Sequence, residues 1–127
     1  MGFRVRVSPM VDPARHRWWA SGTPAEQAGE LNALLRDPEV RAVITHTGGQ
    51  ATIGYLDLID LDATRADPKP IIGYSDISVL RIVLYAKTGF VGFHADIVTH
   101  GFGSDWYTLG EEGLEMPEAG GRTAVMK

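Results

Sequence analysis

Apolar positions recur along this chain in two rhythms, and the switching between them outlines a fold. Phe3-Arg4-Val5-Arg6-Val7 alternates apolar and basic residues, the period of a strand with one wet face, and Pro9 ends it, so an edge strand is predicted. From Val11 to Gly22 no period holds. Thr23-Pro24-Ala25-Glu26 then reads as a helix start, with Thr23 as N-cap, Pro24 at the first helical position and Glu26 closing a capping box. Ala28, Leu31, Leu34 and Leu35 form one stripe, predicting a helix to about Arg36 that stops at Asp37-Pro38.

Val40 to Thr45 carries the run Ala42-Val43-Ile44 of a buried strand, which leads to a corner at Thr47-Gly48-Gly49. A short helix is predicted over Thr52 to Ile59, and a further turn capped by Asp62, before Asp67-Pro68-Lys69-Pro70 breaks the pattern. Ile71-Ile72-Gly73 is the next strand. In the following run, Ile77 to Lys87, the polar residues Ser78, Arg81, Tyr85 and Thr88 fall within an arc of about 80° at 3.6 residues per turn, so the helix is nearly surrounded by protein. Gly89 ends it, and Phe90 to His94 reads as a last strand. Strand and helix alternate throughout, which predicts an α/β fold: a parallel sheet with helices on both faces.

Beyond Thr99 the glycines Gly101, Gly103, Gly110, Gly113, Gly120 and Gly121 interrupt every possible element, so an irregular, mobile tail is expected over 99–127. With 127 residues, 44% of them apolar and 22% charged, the chain has the composition of one modest soluble domain. A net charge of -4 with interspersed signs argues against a nucleic-acid or anionic-membrane footprint. The absence of cysteine excludes disulfides and thiol catalysis. No stretch resembles a secretory leader or approaches the ~20 apolar residues of a membrane span, so a cytoplasmic protein is expected.

Candidate chemistry concentrates at two corners. Gly73-Tyr74-Ser75-Asp76 presents one serine between a strand and a helix. Ser-Asp before an apolar helix is also what an N-cap looks like, and on pattern alone that is the commoner reading. Against it, Gly73 permits a tight turn, and the amide of Asp76 at a helix N-terminus is where an oxyanion would be stabilised. Ile77 replaces the second glycine of the full Gly-x-Ser-x-Gly elbow. Gly48 and Gly49 could supply a second oxyanion donor, or be a simple turn. Neither belongs to a nucleotide fingerprint, so no cofactor is implied.

His94, Asp96 and His100 match no zinc spacing, so no metal is implied. His94 reads as a strand-end residue supporting the site floor, and His46 is the one histidine to entertain as a local base for Ser75. Trp18 and Trp19, among Arg15, His16 and Arg17, are either a binding platform or, more commonly, aromatics folded back onto the core.

Several of these segments, in the same order, resemble the amino-terminal domain of the LD-carboxypeptidases, a serine peptidase family that includes muramoyltetrapeptide carboxypeptidase and the microcin C immunity peptidases. The resemblance runs from about Gly2 to Gly103. It rests on Leu31-Asn32 through Asp37-Pro38-Glu39-Val40-Arg41-Ala42-Val43, on Thr47-Gly48-Gly49, and above all on Asp67-Pro68-Lys69-Pro70-Ile71-Ile72-Gly73-Tyr74-Ser75-Asp76-Ile77. Tyr85-Ala86-Lys87-Thr88-Gly89-Phe90-Val91 and Phe93-His94 are also similar.

The resemblance implies a flavodoxin-like or Rossmann-like domain, here incomplete at both ends, over residues 1–98. It implies Ser75 as nucleophile, and the amides of Asp76 and of the Gly48-Gly49 turn as oxyanion hole. The family's histidine and glutamate come from a carboxy-terminal domain, which is expected to be absent from this chain. The implied reaction releases a terminal D-amino acid from a peptidoglycan-derived tetrapeptide. The implied partner is therefore a small muropeptide-like substrate, without nucleic acid or membrane, and a homodimer for the intact family member. Phe93-His94-Ala95-Asp96 departs from the family's Phe-His-Gly-Pro, and Gln50 stands where an aromatic residue or Asn is usual, which bears on substrate preference.

Overall fold

The computed structural model describes residues 4–17 and 20–98. Three short strands, β3 (Val43–Ile44), β4 (Ile71–Gly73) and β5 (Phe93–His94), form a parallel sheet in that order. They follow a small antiparallel hairpin of β1 (His16–Arg17) and β2 (Ala20–Ser21). The register pairs Val43 with Ile71, Ile44 with Ile72, Ile72 with Phe93 and Gly73 with His94. Paired residues in a pleated sheet share a face, so Val43 and Ile71 lie on one side and Ile44, Ile72 and Phe93 on the other. The α/β class expected from the alternation is what forms: a parallel sheet with helices.

The helices are α1 (Pro24–Arg36), α2 (Leu61–Ala66) and α3 (Ile77–Thr88). Thr23 and Glu26 make the predicted capping box at the start of α1, and Gly89, in the left-handed region at φ 73°, ends α3. Ala28 and Leu35 of α1, Leu80 and Leu84 of α3, and Tyr55, Ile59 and Phe90 meet Ile71 in one buried cluster, with Leu61 and Ala63 of α2 packed against it. Among the described residues, helix packing therefore lies on the Ile71 face. Each fully buried leucine or isoleucine contributes about 1.5–3 kcal/mol relative to exposure, so this cluster is what orients α3 beneath the serine corner.

Several local expectations need correction, among them that α3 is nearly surrounded by protein, since Val79, Ile82 and Tyr85 are exposed. Arg4 to Ser8 forms no strand, and Phe3 lies outside the described residues. Alternation alone does not make a strand, which needs a partner for its backbone groups. Instead Arg6 Nη1 donates to Asp37 at 2.8 Å while Val5 and Val7 stay exposed. The helix expected over Thr52 to Ile59 is two 3₁₀ turns, Thr52–Gly54 and Leu56–Leu58. The cap of α2 is Asp60 rather than Asp62: its carboxylate accepts from Ala63 N at 2.8 Å and also pairs with Arg36, while Asn32 Oδ1 accepts its amide. The last strand is Phe93–His94, shorter than Phe90 to His94. Trp18, Trp19, His100 and the expected tail lie outside the described residues. Among those described, no helix is long and apolar enough to cross a membrane.

Candidate active site

Ser75 occupies the corner between β4 and α3 with φ 64°, the one non-glycine residue described with positive φ. Left-handed backbone is uncommon for serine and costs about 1–3 kcal/mol where it persists, and such strain concentrates at functional positions. The residue is exposed, and its hydroxyl has no hydrogen-bond partner among the described residues. Its carbonyl accepts from Ser78 N at 2.9 Å, so the main chain already turns into the helix at this point. The residue at the cap position of α3 is Asp76, with helical φ -53° and ψ -37° and no side-chain bond to its own helix.

The Gly48-Gly49 turn lies against this corner. A Cβ on Gly48 would sit 3.0 Å from both Cβ and Oγ of Ser75 and 3.9 Å from the Asp76 amide nitrogen. A Cβ on Gly49 would sit 3.5 Å from Asp76 Oδ2. Glycine at position 48 thus leaves open the space in front of the serine that a side chain would fill. Gly73, two residues before Ser75, is confined by Thr45, whose Oγ1 lies 2.2 Å from where a Cβ would be.

Asp76 Oδ2 accepts from Ala51 N at 3.0 Å, Thr52 N at 3.0 Å and Thr52 Oγ1 at 2.8 Å. Behind it, Thr52 Oγ1 lies 3.4 Å from Tyr55 Oη. Burial pushes the Tyr55 phenol up, the Thr52 bond offsets part of that, and the Asp76 charge adds to it. Neither Thr52 nor the Asp76 carboxylate was a sequence candidate, because no local pattern joins residues 24 positions apart.

On the β5 side, Arg81 Nη1 donates to the Gly73 carbonyl at 3.3 Å and to His94 Nδ1 at 3.2 Å, and Nη2 to the Gly92 carbonyl at 3.4 Å. Arginine is always a donor, so His94 Nδ1 is the acceptor and a neutral His94 carries its proton on Nε2. Burial lowers the pKa of Arg81. His94 also stacks obliquely with Tyr74, ring centres 6.2 Å apart. It is thus a strand-end support, as expected. His46, entertained as a local base, is an exposed residue two positions before Gly48. Lys69, in the Asp-Pro-Lys-Pro run, is buried with Nζ donating to the Leu35 carbonyl at 2.7 Å and to Asp67 at 2.5 Å. It ties the C-terminal end of α1 to the approach to β4.

Residues 1–95 match the model of the LD-carboxypeptidase N-terminal domain. The chain belongs to this family. It is 43% identical over 86 residues to a putative carboxypeptidase of Vibrio cholerae, covering 68% of this chain and 26% of the relative. It is 38% identical to the microcin C7 self-immunity protein of Escherichia coli, over 68% of this chain and 25% of that protein. With the probable murein peptide carboxypeptidase of Bacillus subtilis it shares 34% identity, over 83% of this chain and 32% of that protein. The chain thus spans about a quarter to a third of these relatives. Among solved structures it matches the MccF-like protein of Bacillus anthracis with a TM-score of 0.59 at 36% identity, over 63% of this chain and 25% of that one. It also matches MccF bound to glutamyl sulfamoyl guanosine, with a TM-score of 0.57 at 39% identity, over 59% of this chain and 22% of that one.

Proposed function

We propose that this chain is the nucleophile-bearing part of a serine LD-carboxypeptidase that releases a terminal D-amino acid from a peptidoglycan-derived tetrapeptide in the cytoplasm. The observation that carries the reading is Ser75 at φ 64°, exposed on the strand-to-helix corner, with the Gly48 backbone across the open space before it. In this reading Ser75 Oγ attacks the scissile carbonyl. The amide of Asp76 and an amide of the Gly48-Gly49 turn stabilise the oxyanion, and a histidine and a glutamate of a carboxy-terminal domain activate the serine. The substrate is a small peptide; nucleic acid and membrane play no part, and no metal or cofactor is required.

Removing the base of a serine triad costs on the order of 10⁴ to 10⁶ in rate, so the 127-residue chain alone is expected to show no measurable turnover. The test is a chimera in which residues 1–95 replace the matching domain of the Bacillus subtilis relative. Release of D-alanine from an L,D-tetrapeptide that Ser75→Ala abolishes supports the reading, and release that survives Ser75→Ala sinks it.

A second reading draws on the 38% identity to the microcin C7 self-immunity protein and on the match to MccF bound to glutamyl sulfamoyl guanosine: the acyl group cleaved belongs to an aminoacyl-sulfamoyl nucleoside rather than a muropeptide. Offering both substrates to the same chimera separates the two. A noncatalytic peptide-binding domain is the third possibility. Tetrapeptide binding unchanged in Ser75→Ala, without hydrolysis in the chimera, would select it.

A further inference from the structure

An aspartate at a helix N-terminus ordinarily spends its carboxylate on the amides of its own first turn. Asp76 does not: its carboxylate makes no bond to α3 and instead collects three donors from residues 51 and 52. We infer that the Asp76 carboxylate is the positioning residue of the proposed oxyanion turn, a clamp that holds the segment from Gly48 to Thr52 over Ser75. The inference rests on the reading of Ser75 above and extends it from the main-chain amide of Asp76 to its side chain.

Three observations carry the step. The clamp is anchored from behind, because Thr52 is 1% exposed and its hydroxyl lies between Asp76 and Tyr55. Its length is short: Ala51 is three residues from Gly48, and an untethered stretch of that length can sweep about 10 Å at ~3.3–3.6 Å per residue. The turn it tethers has a narrow tolerance, with the Gly48 Cβ direction ending 3.0 Å from Ser75 Oγ. An oxyanion donor displaced by 1 Å loses much of its effect, since donors must sit about 2.7–3.1 Å from the developing charge. Concentrating three donors on one charged oxygen also makes the clamp roughly twice as strong per bond as neutral groups would.

The full 127-residue chain, labelled with ¹⁵N, tests this directly. In Asp76→Ala the Ala51 and Thr52 amides are expected to exchange with solvent at least about tenfold faster, and the Gly48 and Gly49 cross-peaks to move, while Leu80 and Leu84 keep their protection. Asp76→Asn, which keeps a neutral acceptor and fills the same space, should fall between, and it serves where the alanine variant does not fold. Unchanged exchange at 51 and 52, or unmoved glycine peaks with exchange accelerated, overturns the clamp.

A fluorophosphonate probe, applied to the chimera carrying residues 1–95 so that the activating histidine and glutamate are present, separates this from the underlying reading. Ser75 Oγ displaces fluoride from phosphorus, its proton passing to the activating histidine, with Ser75→Ala as the blank. Labelling of Ser75 that slows in Asp76→Ala supports the inference. Labelling at an equal rate in both overturns it while leaving the nucleophile assignment standing. No labelling of Ser75 in the parent chimera overturns that assignment and the functional role of the clamp with it.

Discussion

Replacing Gly73 by alanine should disrupt the serine corner through one identifiable contact. The new Cβ would lie 2.2 Å from Thr45 Oγ1, and 3.3 and 3.4 Å from the other two Thr45 side-chain carbons. The hydroxyl must therefore swing away, giving up its 3.2 Å bond to the Ile72 carbonyl, worth about 0.5–1.5 kcal/mol. Overpacking of a filled site adds about 1–3 kcal/mol. The backbone at φ 158°, a region side chains rarely adopt, adds about 1–3 kcal/mol more. Gly73→Ala is thus expected to cost about 2.5–7.5 kcal/mol. Thr45→Ala removes the obstructing oxygen but leaves the dihedral, so the double variant should recover part of the loss, with a coupling energy of about 1–3 kcal/mol. Urea unfolding of the four chains, followed by circular dichroism at 222 nm, measures the cycle. A Gly73→Ala chain within about 0.5 kcal/mol of the parent, or a coupling below that size, would show that contact with Thr45 does not govern this position.

Other substitutions probe the remaining links. Ser75→Ala should change stability by less than about 0.5 kcal/mol, because the hydroxyl makes no cap bond; a loss near ~1 kcal/mol in the same unfolding assay would restore the N-cap reading. Lys69→Met should lower stability by about 1.5–3 kcal/mol through loss of charge-assisted bonds to the Leu35 carbonyl and Asp67, and a stabilised variant in thermal melts would contradict it. Acid should unfold the chain through four carboxyls held below their ordinary range. Glu26 is lowered by the Thr23 backbone and hydroxyl, Asp37 by the Glu39 amide and Arg6, Asp60 by the Ala63 amide and Arg36, and Asp67 by Lys69. Groups with depressed folded pKa stabilise fully above their unfolded values near ~4 and lose that contribution as pH falls through the folded ones. The urea midpoint should therefore fall as pH is lowered from 5 through about 3, and a midpoint that is flat or rises there would count against these pairings.

Much of the fold was legible because its signals are local. The capping box at Thr23 and Glu26, the apolar stripe through Leu35 and the stop at Gly89 are decided within a few residues by backbone satisfaction and side-chain spacing. The failures are non-local or too short to have a period. Phe3 to Val7 has the rhythm of a strand, but a strand is a relation between two segments, and Arg6 and Asp37 show another use for the same residues. Each strand of the hairpin β1 and β2 has two residues, less than one repeat of any pattern. Asp60 displaced Asp62 as cap because it also satisfies Arg36 and Asn32, contacts across the tertiary structure that no capping rule contains.

The candidate site divides along the same line. Gly73-Tyr74-Ser75-Asp76 was recognisable as a corner, yet its local reading as a cap placed the serine in the wrong role relative to the helix. An N-cap residue is extended and turns its oxygen to the amides two or three residues ahead. Ser75 is left-handed, and Asp76 has already entered helical geometry, so neither side chain serves the helix it precedes. What each serves instead lies across a corner in space: Gly48, whose missing side chain opens the space before Ser75, and Thr52, whose amide and hydroxyl converge on Asp76. Two residues that locally spell a cap are released from capping by contacts more than twenty positions away. That release leaves the hydroxyl exposed and, among the described residues, uncommitted to the helix, so it is open to an activating base, which a nucleophile requires and a cap does not.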